Sequence, residues 1–93
     1  MIPFTSRAIV PETVLFRELE GSAVLLNLKT ESYLSLDEVG TRMWTLLTTE
    51  LNVQAAYQQL LAEYEVSPDV LRLDVERLLG QLMQHGLVEL RDA

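Results

Sequence analysis

The stretch Asn27–Leu47, NLKTESYLSLDEVGTRMWTLL, decides the fold. Tyr33, Leu34, Ser35 and Leu36 alternate weakly and are rich in strand formers. Asp37 follows at once and is placed to cap a helix by accepting a first-turn N–H. Val39, Met43, Leu46 and Leu47 then recur at helical spacing, the last three within about 80° of Val39 at 100° per residue. A strand that runs straight into a helix leaves little room for another strand to cross its end. Its free edge is therefore expected to stay open, and an open edge can pair with a foreign peptide. Trp44 falls on the flank of the helical stripe, where its indole is expected to cover the seam between helix and sheet.

Upstream of this stretch, Val14–Leu19 (VLFREL) and Ala23–Asn27 (AVLLN) read as two further strands. Glu20-Gly21-Ser22 and Lys29-Thr30-Glu31 make the turns of a three-stranded antiparallel meander. Residues 1–13 carry Pro3 and Pro11 and are expected to be irregular, with Ile9 and Val10 as an edge strand or a cover for the core. Downstream, Asn52 caps a second helix, about Val53 to Tyr64, with Val53, Ala56, Tyr57, Leu60 and Tyr64 on one face. Ser67-Pro68-Asp69 starts a third, with a hydroxyl at the cap and proline at the first helical position. It should run to about His85 and stop at Gly86. Leu87–Leu90 reads as a short terminal strand or wing. The pattern predicts one α+β domain over residues 1–93. Its architecture is a winged helix-turn-helix with an N-terminal three-stranded antiparallel sheet, three helices and a short C-terminal β element.

Composition narrows the chemistry. The 93 residues are 48% hydrophobic, which fits a folded domain with one core. There is no cysteine, hence no disulfide and no thiolate site. The net charge of −7 repels phosphate backbones and anionic lipid. No charged-then-apolar leader opens the chain and no apolar run spans a bilayer, so a cytoplasmic location is expected, with no membrane partner.

Catalysis finds little support. The single histidine, His85, ends the third helix, where a cation is favoured by the helix dipole. No second histidine or cysteine is present to build a common zinc site, and no metal is expected. Nothing places a serine on a nucleophile elbow, and there is no Gly-rich nucleotide loop. DNA binding is the usual suspicion for this architecture, but the third helix sets Arg72 and Arg77 against Asp69, Asp74 and Glu76. No nucleic-acid partner is expected.

Peptide capture is the remaining reading. On the third helix Leu71, Val75, Leu78, Leu79 and Leu82 form the core stripe. Val70 and Leu73 lie outside it, at about 260° and 200° from Leu71, with Asp74 and Arg77 on the same flank. An extended guest could add to Ser32, Tyr33, Leu34, Ser35 and Leu36 and set alternate side chains against Val70 and Leu73, with Asp74 and Arg77 binding its polar groups. The alternative is that Val70 and Leu73 widen the core face under the N-terminal segment. Spacing alone does not choose between the two.

The run Val24–Leu47, with Leu26-Asn27, Tyr33, Leu36-Asp37-Glu38 and Met43-Trp44-x-Leu46-Leu47, resembles the PqqD family. The likeness extends over Ser67–Leu90 through Val75, Leu79 and Gly86-Leu87. It departs at Thr30-Glu31-Ser32, where the family has Thr/Ser-Gly, and the turn type is open there. The resemblance implies a non-catalytic RiPP recognition element without cofactor. Such domains bind the leader region of a ribosomally made precursor by strand addition to the third strand, docked against the third helix. The bound precursor is then presented to a partner enzyme. An acidic free-standing chain of this size looks most like the version that works with a leader peptidase in lasso-peptide biosynthesis. A chaperone for a radical SAM enzyme in pyrroloquinoline quinone synthesis is the related alternative. A DNA-binding regulator and an enzyme subunit that completes a site elsewhere are the others.

Overall fold

The computed structural model describes residues 2–92. The chain order is β1 (Ser6–Ile9), β2 (Val14–Leu19), β3 (Ser22–Asn27), β4 (Tyr33–Leu36), α1 (Glu38–Thr49), α2 (Val53–Glu63), α3 (Pro68–Gln84) and β5 (Glu89–Asp92). The third strand read from the sequence is thus β4, and it begins at Tyr33; Ser32 belongs to the turn before it.

β2, β3 and β4 form an antiparallel meander in that spatial order. The β2–β3 hairpin closes through Glu20 and Gly21, both at positive φ (54° and 87°). Two left-handed residues twist the turn in the sense of the strands, which is why two-residue hairpins favour this form. One sheet face, carrying Ala23, Leu25 and Leu36, is sealed against the core. Phe16 stacks on Trp44 of α1, centroids 5.9 Å apart and 13° between planes, so the indole covers the seam between helix and sheet.

Each helix has an identifiable start. Asp37 accepts from the Gly40 N–H (2.8 Å) and Asn52 from the Ala55 N–H (2.8 Å). The expected cap at Ser67 fails, because its side chain makes no capping bond; Pro68 at the first helical position does the work of starting α3. At the other end Gly86, at φ +69°, closes a Schellman motif. Its N–H donates to Met83 O, and the Leu87 N–H donates to Leu82 O. Leu82 and Leu87 are both fully buried, which supplies the hydrophobic contact of that motif. The buried stripe of α1 is Met43, Trp44, Leu46 and Leu47, joined by Thr41. Val39 was expected in it but is exposed, because it sits in the first turn, ahead of the packed stretch.

The largest correction is at the termini. Ser6–Ile9, in a segment expected to be irregular apart from an edge strand or core cover at Ile9 and Val10, is a strand paired antiparallel with β5, from Ser6↔Asp92 to Ile9↔Glu89. Pro3 and Pro11 bracket this strand; they delimit it instead of preventing it. The terminal strand also starts two residues later than expected, and Leu87 and Val88 are core residues. Phe4, just before β1, is buried edge-on against Tyr57 (5.5 Å, 68°), with the Arg72 guanidinium 4.0 Å above its ring. The Gln54 N–H donates to Phe4 O (2.7 Å), and Tyr57 Oη donates to Pro68 O (2.9 Å). The N-terminal segment is therefore built into the α2–α3 corner.

Candidate peptide-binding edge

Among the described residues β4 has a neighbouring strand on one side only. Antiparallel ladders alternate, so each residue turns both backbone groups toward one flank or the other. The Asn27 N–H donates to Ser32 O (2.8 Å), which fixes the phase. Given the register Leu25↔Leu34 and Ala23↔Leu36, the N–H and C=O of Leu34 and Leu36 serve β3. Those of Tyr33 and Ser35 point away from the sheet. The other edge of β3 is consistent: the Leu28 N–H donates to Thr13 O, so Leu26 and Val24 serve β2. Of the five predicted strand positions, then, two present free donors and acceptors. Ser32 is held in the turn, its carbonyl taken by Asn27, and Leu34 and Leu36 turn side chains inward.

β4 cannot be extended by its own chain beyond Leu36, because Asp37 has already begun α1. Before Tyr33, Glu31 adopts φ +61° and donates its N–H to Asn27 O (2.8 Å). This is the position at which the resemblance led one to expect glycine. A glutamate held in the left-handed region costs about 1 kcal/mol.

On α3 the ambiguity left by spacing is resolved in one respect. Val70 and Leu73 are 50% and 60% exposed, so they do not widen the core. Asp74 and Arg77 stand on the same helix, their charged ends 3.6 Å apart, and Arg72 pairs with Glu76 at the same distance. Both guanidiniums of α3 are thereby offset by carboxylates, which weakens any case for phosphate contacts. Two cavities lie near β4 and near the end of α3, and neither is a groove joining β4 to these α3 residues. One, of about 400 Å³, lies on the sheet and reaches Ser35, Leu36 and Asp37. The other, of about 520 Å³, lies between the β3–β4 turn and the end of α3, around Asn27, Lys29, Met83 and Gly86. Neither takes in Val70, Leu73, Asp74 or Arg77.

The residue that ties α3 to the sheet entered the sequence reading only as part of the family resemblance, with no role given to it. Asn27, nearly buried at the end of β3, donates from Nδ2 to Gly86 O (2.7 Å). Its Oδ1 accepts from Thr13 Oγ1 (3.0 Å) and the Lys29 N–H (2.9 Å). A polar residue on the inward phase of an otherwise apolar strand was the signal available. Among the described residues no group of three His, Cys, Asp or Glu side chains is gathered to hold a metal, and no helix is long and apolar enough to cross a membrane.

Residues 22–88 match the family described as Coenzyme PQQ synthesis protein D (PqqD), and the chain belongs to that family. It is similar to the solved structure of TbiB1 in complex with the TbiA(beta) leader peptide. The TM-score is 0.80 at 30% sequence identity, covering 87% of this chain and 94% of that one. It also shares its fold with lasso peptide synthetase B1 complexed with the leader peptide, at TM-score 0.78 and 19% identity, over 89% of this chain and 98% of that one. No curated protein sequence matches the chain.

Proposed function

We propose that this protein recognises the leader region of a ribosomally synthesised precursor peptide, as a strand added to β4. The observation that carries the reading is the pair of backbone N–H and C=O groups at Tyr33 and Ser35, turned to the side of β4 on which no strand pairs among the described residues. Main-chain pairing there supplies affinity without regard to sequence, and alternate side chains supply specificity. Val70, Leu73, Asp74 and Arg77 form the α3 surface assigned to the leader's remaining side chains. The leader complex of TbiB1, at 30% identity, supports the same class of ligand. In this reading the chain carries out no chemistry. It works in the cytoplasm and hands the bound precursor to a leader peptidase.

The test is titration with the leader of a short precursor encoded beside this chain. Saturable binding is expected, and Ser35→Pro should weaken it at least about tenfold by removing an edge donor. Leu34→Pro should instead damage the fold, since its N–H belongs to the β3–β4 ladder. Unaltered affinity in a folded Ser35→Pro protein would remove strand addition to β4.

A further inference from the structure

The face of the sheet turned away from the core is unusually apolar. Leu19, Val24 and Tyr33 are 78%, 45% and 66% exposed on it. An antiparallel sheet with one solvated face ordinarily turns polar side chains outward. Register places Arg17, Val24 and Ser35 side by side in one row across this face, and Leu15, Leu26 and Tyr33 in the next. The 400 Å³ cavity opens over the first row, with Leu19, Val24 and Ser35 in its lining. Ser35 is the small member at the β4 edge, and it leaves the flank of Val24 uncovered on the side where a guest strand would lie.

We propose that this hollow is a size-selective subsite for the guest peptide, filled by one large apolar side chain. The inference rests on the strand-addition reading of β4 and deepens it. Because Ser35 turns its own N–H and C=O outward, a guest residue must lie level with it. Its side chain then stands on the same face as Ser35, one strand spacing of about 4.8 Å from it and two from Val24. A leucine, methionine or phenylalanine reaches that far, and only a residue as small as serine lets it pass. Tyr33 fills the corresponding place in the next row, so the size preference is confined to one guest position. A second copy of this chain is the competing occupant, since its Tyr33 could lie level with Ser35. A net charge of −7 on each copy opposes that pairing.

A displayed library of random 15-residue peptides, selected against the purified chain, tests the proposal. Selected peptides should share one position enriched in large apolar residues. Ser35→Val fills the hollow with a strand-favouring side chain. It should switch that one position to alanine, glycine or serine and weaken the original peptides about tenfold, the discrimination a pocket achieves over a few methyl groups. Ser35→Ala, which keeps the hollow, should retain the original preference. Enrichment that is the same in Ser35→Val and the parent overturns the subsite alone. Absence of any enrichment, or enrichment untouched by Ser35→Pro, overturns strand addition and the subsite with it. A dimer in sedimentation that Ser35→Val dissociates assigns the hollow to a second copy and overturns the peptide assignment.

Discussion

Asn27 and Gly86, 59 positions apart in sequence, are joined by a 2.7 Å hydrogen bond from carboxamide to carbonyl. One end of that bond stops β3 and the other stops α3. The same carboxamide oxygen holds Thr13 and the backbone of Lys29. A single buried side chain therefore sets where the sheet carrying the open edge stands relative to the end of α3. Asn27→Ala should leave Gly86 O and the Lys29 N–H without their side-chain partner in a partly buried site that borders the 520 Å³ cavity. The expected loss is about 1–2 kcal/mol, the net worth of hydrogen bonds whose freed groups water can reach, read as a lower denaturant midpoint with an unchanged slope. A change under about 0.5 kcal/mol, the range of an ordinary surface substitution, would show that the clamp is not structural.

Glu31 offers the opposite case. Its φ of +61° suits glycine, and its side chain is exposed, so little is lost by removing it. Glu31→Gly should stabilise the β3–β4 turn by about 0.5 kcal/mol, the relief of left-handed strain less the entropy glycine gains in the unfolded chain. Thermal melting checks the sign. A lower melting temperature would mean that the glutamate makes an interaction worth more than the strain.

Acid should progressively remove the stability contributed by one contact between α1 and α2. Arg42 grips Glu63 with two nitrogens (2.8 and 2.6 Å), and Gln59 adds a third bond to the same carboxylate. These hydrogen bonds lower the Glu63 pKa to about 2, from an ordinary 4.5. The folded value is depressed, so the contribution is present above pH 4.5 and is lost as pH falls from there toward 2. Glu63→Gln should flatten the stability profile within that window while leaving its shape at neutral pH alone. The pair is exposed, so the effect is expected to be small and to shrink with added salt. Equal acid slopes for both proteins would assign the acid response to other groups.

The parts of the fold legible in the sequence were those written in local code. The alternation of Tyr33–Leu36, the cap at Asp37 and the glycine at Gly86 each act within a few residues, and each sits where expected. The β1–β5 ribbon was not legible, because its partners lie at opposite ends of the chain and prolines flank the first strand. Val39 kept the helical period yet stayed exposed, since periodicity gives a direction and not the extent of what packs there. For the site, the open edge of β4 followed from a strand running into a helix. Which of its residues face outward did not, because the phase depends on the Asn27–Ser32 bond. Spacing placed Val70 and Leu73 on a flank, and only their exposure separates that flank from the core.

That exposure makes the α3 surface testable without confounding the fold. Val70 and Leu73 are half or more in water, so a charge at either position buries nothing and should change stability by less than about 0.5 kcal/mol. If leader side chains pack there, Val70→Glu and Leu73→Glu should each weaken leader binding by about tenfold or more, since an apolar contact is replaced by a carboxylate that must be desolvated. The comparison with Ser35→Pro then separates two contributions. Loss in the proline variant alone would confine recognition to the strand edge and the sheet face beyond it. Loss in all three would mean that the guest spans from β4 to α3, and a double variant of Ser35 and Leu73 should then show losses that add, because the two contacts are made by different parts of one peptide.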